Sequence, residues 1–185
     1  MQITTLMRGI FVICLLSGGM IVMPAIANPE PPSSILLAVQ PSNQLTEENI
    51  RQVLGAIDKA ITQKDMEGVL KFVAPFVYTE VTVESNEGTF ITPVEGKDGL
   101  RDLLKAIYAR IKDSNVVNQQ TKIEITSSGE LGVAHITTLE AIATEDGNRY
   151  YASSTDTLRF AWLNNQPTLV SMTIKGWLAE RPAEK

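Results

Sequence analysis

TEENIRQVLGAIDKAITQKDMEGVLKFVAPFVYTEVTVE, residues 46–84, changes its hydrophobic period once, and the place of that change decides the fold. Thr46 followed by Glu47 and Glu48 is a helix start: a hydroxyl to cap free amides, and acids at the positive end of the dipole. Ile50, Val53, Leu54, Ile57, Ala60 and Ile61 then fall on one stripe at helical spacing. Asp65 opens a second, shorter helix with Met66, Val69, Leu70 and Val73 as its buried face. Pro75 is predicted to stop it, because a proline pushes the residue before it out of the helical region. From Phe76 the period falls to two. Val77, Val81 and Val83 alternate with Tyr78, Glu80, Thr82 and Glu84, which predicts a half-buried strand.

Downstream, Ser85-Asn86-Glu87-Gly88 predicts a turn and residues 89–94 a short return strand. A third helix follows Gly96-Lys97-Asp98-Gly99, striped by Leu100, Leu103, Leu104, Ile107, Tyr108 and Ile111. After Ser114-Asn115 the chain reads as strand throughout, over residues 121–126, 132–144, 149–163 and 168–178. The turns between them are Ser127-Ser128-Gly129, Glu145-Asp146-Gly147-Asn148 and Asn164-Asn165-Gln166-Pro167. Asp-Gly between two long β-rich runs is a strong hairpin signal.

Upstream, the residues up to Arg8 are short and polar, residues 9–23 are almost wholly apolar, and Ala25-Ile26-Ala27 follows. That order is a cleavable secretory signal, with small side chains where a signal peptidase needs them. The apolar run is too short for a bilayer span and is interrupted by Gly18-Gly19, so no stable membrane anchor is expected after cleavage. Cys14 follows Phe11-Val12-Ile13, where a lipoprotein signal would want a small residue. The predicted plan is a signal peptide over 1–27, a Pro-rich linker or arm over 28–44, a folded domain over 45–180 and a C-terminal tail over 181–185. Within the arm, Ile35-Leu36-Leu37-Ala38-Val39 either docks as a short strand or stays disordered. The expected localisation is periplasmic or secreted, the chain beginning at Asn28.

Cleavage leaves 158 residues, enough for one domain with a real core. Cys14, the one cysteine, goes with the signal, so disulfides, thiol nucleophiles and thiolate ligands are excluded from the mature chain. The net charge moves from −5 to −6 as Arg8 is lost, and the basic residues are scattered singly among acids. Nucleic acid is therefore not an expected partner, since phosphate binding needs a concentrated basic face. With a single histidine, a histidine-rich metal site is excluded, and no cofactor is expected.

The order helix, short helix, strand, strand, helix and four long strands resembles the nuclear transport factor 2-like superfamily. Ketosteroid isomerase, scytalone dehydratase and the SnoaL-like polyketide cyclases share that cone-shaped fold. The resemblance covers residues 45–178 and is carried by Ala56-Ile57-Asp58-Lys59-Ala60-Ile61-Thr62-Gln63-Lys64-Asp65-Met66-Glu67-Gly68-Val69-Leu70 and by Glu95-Gly96-Lys97-Asp98-Gly99-Leu100. It implies an α+β fold in which a strongly bent antiparallel sheet wraps three helices from the N-terminal half. It also implies a cavity at the wide end for a small apolar ligand, and a homodimer through the outer sheet face. These motifs are fold signatures rather than catalytic ones, and the fold does not give the function.

Candidate chemistry is sparse. His135 shares a strand face with Val133 and Leu139, as either a general acid–base group in the cone or a packed or interface histidine. Asp156 shares its face with Tyr150, Leu158, Phe160 and Trp162. It is either a desolvated carboxylate of raised pKa in the cavity or the partner of Lys175 outside. Glu80 is near the place of the isomerase base, but strand parity points it outward, and the first helix holds no tyrosine for an oxyanion hole. Tyr108, Tyr150, Phe160, Trp162 and Trp177 are the expected lining of a ligand pocket, against the commoner role of aromatic residues in packing. Tyr151 is a further large amphipathic side chain.

Three functions follow. The first is an exported non-catalytic domain that binds a small apolar ligand or a partner protein. The second is a SnoaL-like acid–base enzyme acting on a small carbonyl compound through Asp156 and His135, of isomerase, cyclase or dehydratase type. The third is a structural dimerisation module. Strands with apolar residues on both faces, Leu158, Phe160 and Trp162 against Tyr151, Ala161 and Leu163, also predict a homodimer.

Overall fold

The computed structural model describes residues 44–85 and 88–180. The predicted signal, nearly all of the arm, the tail and the tip of the first hairpin lie outside the described residues. Among the described residues three helices precede or interrupt the strands: α1 (Glu47–Thr62), α2 (Met66–Leu70) and α3 (Gly96–Arg110). The strands are β1 (Val73–Ser85), β2 (Gly88–Glu95), β3 (Ile111–Ile125), β4 (Leu131–Thr144), β5 (Arg149–Leu163) and β6 (Gln166–Glu180). They form one sheet in the order β2-β1-β6-β5-β4-β3.

The caps follow the sequence. Thr46 accepts from the Asn49 backbone amide at 3.2 Å while the Asn49 side chain accepts from the Thr46 amide at 3.0 Å, a reciprocal box that starts α1. Asp65 accepts from the Gly68 amide at 2.9 Å and starts α2. Between the two, Lys64 is left-handed at φ 54°, and its ammonium donates to the Tyr108 and Ile111 carbonyls at 3.2 and 3.0 Å. The α1–α2 corner thereby satisfies free carbonyls at the end of α3, where a cation is favoured by the dipole.

Two boundaries differ from the sequence reading. Helix α2 ends at Leu70 rather than running on to Pro75, and Val73 already belongs to β1, facing Leu169 of β6. The Leu169 amide donates to the Phe72 carbonyl at 2.8 Å, so pairing with β6 claims this backbone before the proline does. Ser114-Asn115 is no break either. β3 starts at Ile111 directly after α3, and these two residues pair with Ile142 and Ala141. Cross-strand hydrogen bonds outweigh their turn preference. β3 carries two irregularities, between Ile111 and Asp113 and between Val116 and Asn118, and such bulges bend a strand.

The sheet is antiparallel save for one pairing: β1 and β6 run parallel, which makes it mixed. A parallel neighbour requires a long connection, and here the connection is nearly the whole domain. Asn164 and Asn165, at φ 52° and 62°, make the two-residue turn between β5 and β6. Asparagine is one of the few residues that accepts that conformation at both positions.

One sheet face closes the core. Ile50, Leu54, Leu70, Leu100, Leu104 and Ile107 from the helices meet Val77, Val81, Ile136, Leu158, Phe160, Met172 and Ile174 from the strands. Each fully buried side chain of this size is worth about 1.5–3 kcal/mol relative to exposure. That face is the inner face of the cone.

Candidate functional site

Period-two geometry sorts every residue of β4 and β5 between the two faces of the sheet. On β5 the even-numbered positions turn inward: Tyr150, Ala152, Asp156, Leu158 and Phe160 are buried. On β4 the same parity buries Ala134, Ile136, Thr138, Glu140, Ile142 and Thr144. Polar groups therefore enter the core together. Asp156 is 0% exposed. Its register neighbours are Ile136 on β4 and Ile174 on β6, both buried.

The Asp156 carboxyl has one partner among the described residues. Ser154 donates to Oδ2 at 3.3 Å, and Oδ1 is buried with none. Burial in this apolar surround pushes the Asp156 pKa up to about 7, opposed by the Ser154 hydrogen bond. At neutral pH the group is therefore divided between a carboxylic acid that can donate and a carboxylate that only accepts. Directly across from Ser154 lies Thr138, whose hydroxyl is also buried and without a partner. Gln119 of β3 faces Thr138 in turn, so a polar row crosses three strands beside Asp156. A second buried acid, Glu140, is two residues further along β4. The Thr79 hydroxyl on β1 is a further buried group without a partner.

The sequence reading left Asp156 open between the cavity and Lys175. The structure places it inward, while Lys175 is exposed and faces Thr155 on the other side of the sheet. His135 is exposed on that outer face, with Nδ1 3.3 Å from the Thr157 hydroxyl, beside Lys122 of β3. Asp156 and His135 thus stand on opposite faces and do not converge. Val77, Val81 and Val83 are buried and Glu80 turns outward, as parity required.

The five aromatic residues expected to line one pocket are dispersed. Phe160 is wholly within the core, and Tyr150 is buried ten residues away along the same strand. Trp162 is half-buried with its indole N–H buried and unpartnered. Trp177 is 46% exposed on the outer face, opposite Ser153 and Glu84. Tyr108 lines a separate half-open cleft of about 80 Å³ with Ile61, Lys64, Ile107, Ile111 and Ser114. Its hydroxyl is buried without a partner, and burial together with the Asp65 charge pushes its pKa up to about 12. That hydroxyl stays protonated at any physiological pH. A space of this size holds a few waters.

Thr138 and Glu140 were missed from the sequence. Parity alone did not point to them: the face of Val133, His135, Leu139, Ala141 and Ala143 is by composition at least as apolar as that of Ala134, Ile136, Thr138, Glu140 and Ile142, and the register with β5 turns the second one inward.

No protein-family model matches the sequence, and no curated protein matches it. Solved structures do. The chain is similar to a hexachlorocyclohexane dehydrochlorinase, LinA type 2, at 10% identity and a TM-score of 0.59, over 74% of this chain and 89% of that one. It is similar to a nuclear transport factor 2-like protein of unknown function from Pseudomonas putida KT2440, at 14% identity and a TM-score of 0.54, over 70% and 84%. A ketosteroid isomerase-like protein from Erwinia carotovora atroseptica matches at 10% identity and a TM-score of 0.52, over 70% and 94%. The chain has the nuclear transport factor 2-like fold. Proteins that share it include enzymes and proteins of unknown function, and likeness at this identity speaks for the fold alone.

Proposed function

We propose that the domain is an exported, non-catalytic binding domain that takes a small, mostly apolar molecule into the cone with its polar end at Asp156. The observation that carries this reading is the pair of unpartnered polar atoms, Asp156 Oδ1 and Thr138 Oγ1, on the buried inner face of the sheet. A buried polar group without a partner costs roughly 1–3 kcal/mol, and a ligand hydroxyl or carbonyl between them recovers that cost. Asp156 is closed off from solvent, so a ligand reaches it by displacing side chains packed over it. Export rests on the signal read in the sequence. Native mass spectrometry of the protein recovered from its source tests both. We expect a chain beginning at Asn28 with an added mass that is lost from Asp156→Asn. A bare chain at its own mass would count against a retained ligand and leave the enzyme and structural-module readings.

A second reading, an acid–base enzyme, is favoured by the buried Asp156 carboxyl with its unpartnered Oδ1, whose pKa burial pushes up toward neutrality. His135, on the outer face, would take no part in it.

The outer face supports a homodimer. Trp177, Leu139, Tyr151, Ala141 and Ala179 are neighbours there by register across β4, β5 and β6. Sedimentation equilibrium at micromolar concentration is expected to give a dimer, weakened by Trp177→Arg. A monomer at that concentration counts decisively against it.

A further inference from the structure

We propose that residues 35–39, Ile-Leu-Leu-Ala-Val, add to the free edge of β3 as a further, parallel strand. The starting point is where the described chain begins. The Leu45 amide donates to the Gly129 carbonyl at 2.8 Å, and Leu45 is buried, so the chain enters the domain at the β3–β4 turn. The arm therefore joins the domain beside the end of β3, which closes the sheet order on that side. An arm laid along β3 would run toward the same turn as β3 does, which makes the proposed pairing parallel.

The two edges of the sheet are unequal. β2 has 8 residues and carries Pro93, a short edge that blunts itself. β3 has 15 residues and no proline. Its two lysines, Lys112 and Lys122, bracket a middle without either blocking residue. Among the described residues no strand lies against that edge, and Val117 at its bulge is 55% exposed. A long bare edge is a template for pairing with another chain, and natural proteins cover it.

The arm has the reach and the composition. At about 3.3 Å per residue, Val39 lies about 17 Å and Ile35 about 30 Å back from Gln44. Counted back from the turn, that sets residues 35–39 beside residues 117–121 of β3. Pro32 and Pro41 fall outside the five paired residues, where a missing donor does no harm. The five carry no charge and suit a strand next to Val117 better than solvent.

Hydrogen exchange on the full exported chain tests this, compared with Leu37→Pro, which removes a donor in the middle of the added strand. The edge-facing amides of residues 117–121 are expected to exchange at least about tenfold more slowly in the natural chain, at every protein concentration. Peptides from β5, in the middle of the sheet, should be unchanged and report that the domain is folded. Equal exchange at the β3 edge in the two proteins overturns the proposal. So does protection that disappears on dilution, which would mean a second copy occupies the edge.

Discussion

Asp156→Asn is expected to make the protein more stable at pH 8 and to leave its stability at pH 4 nearly unchanged. The carboxyl binds its proton more tightly in the folded chain, at a pKa of about 7, than the ordinary aspartate value of 3.8. Its contribution is therefore fully present below about pH 4, is lost as the pH rises to about 7, and is flat above that. The whole shift corresponds to an upper bound of about 4 kcal/mol. The asparagine amide keeps the shape but is itself short of partners, so a gain of roughly 1–3 kcal/mol at pH 8 is expected. Urea unfolding of both proteins at pH 4, 6 and 8 isolates the effect, because the other acids are common to both and cancel in the difference. A difference that does not change with pH, or a variant less stable at pH 8, would mean that Asp156 is ionised and compensated in the folded chain. The polar anchor at the centre of the binding proposal would then have a partner already.

The sequence made the fold legible because the fold is written in periods. The stripe from Ile50 to Ile61, the caps at Thr46 and Asp65 and the Asp146-Gly147 turn are local, and each recurs where expected. What failed was what only pairing decides. Ser114-Asn115 reads as a turn until β4 lies beside it, and residues 71–75 read as helix until β6 takes their backbone. The parallel β1–β6 pairing joins segments far apart in the chain, and no local pattern announces it. The site divides the same way. That Asp156 lies on an apolar face was readable, since parity along β5 is local. Which face of β4 shares that interior depends on the register with β5, and so Thr138 and Glu140 escaped while His135 drew attention. Aromatic residues misled for a related reason. Tyr108, Phe160 and Trp177 look alike in composition, yet one lines a cleft, one fills the core and one faces outward.

Phe160→Ala decides whether that core position is packing or a wall awaiting a ligand. Phe160 is wholly buried on the inner face of β5, and its neighbour across the strands on β4 is Gly132. Gly132 offers no side chain, and a Cβ there would press on the end of the Ile50 side chain and lie 3.0 Å from that of Ile125. Helix α1 therefore reaches down onto β4 at this end of the sheet, and a larger residue there would have to push the ends of Ile50 and Ile125 aside. Removing a ring from such surroundings loses its transfer energy and leaves a void that its neighbours fill only in part. The expected cost is about 3–5 kcal/mol. For a domain of this size that lowers the melting temperature by roughly 10–20 °C, which scanning calorimetry reads directly. The pocket reading of Phe160 makes a different demand. A ring that borders an empty space has fewer contacts to lose, and its truncation would cost about 1 kcal/mol while enlarging the space for an apolar ligand. A small loss of stability with unchanged folding cooperativity would therefore return Phe160 to the binding site. A large one fixes it as the part of the cone that holds β5, and with it Asp156, against the helices.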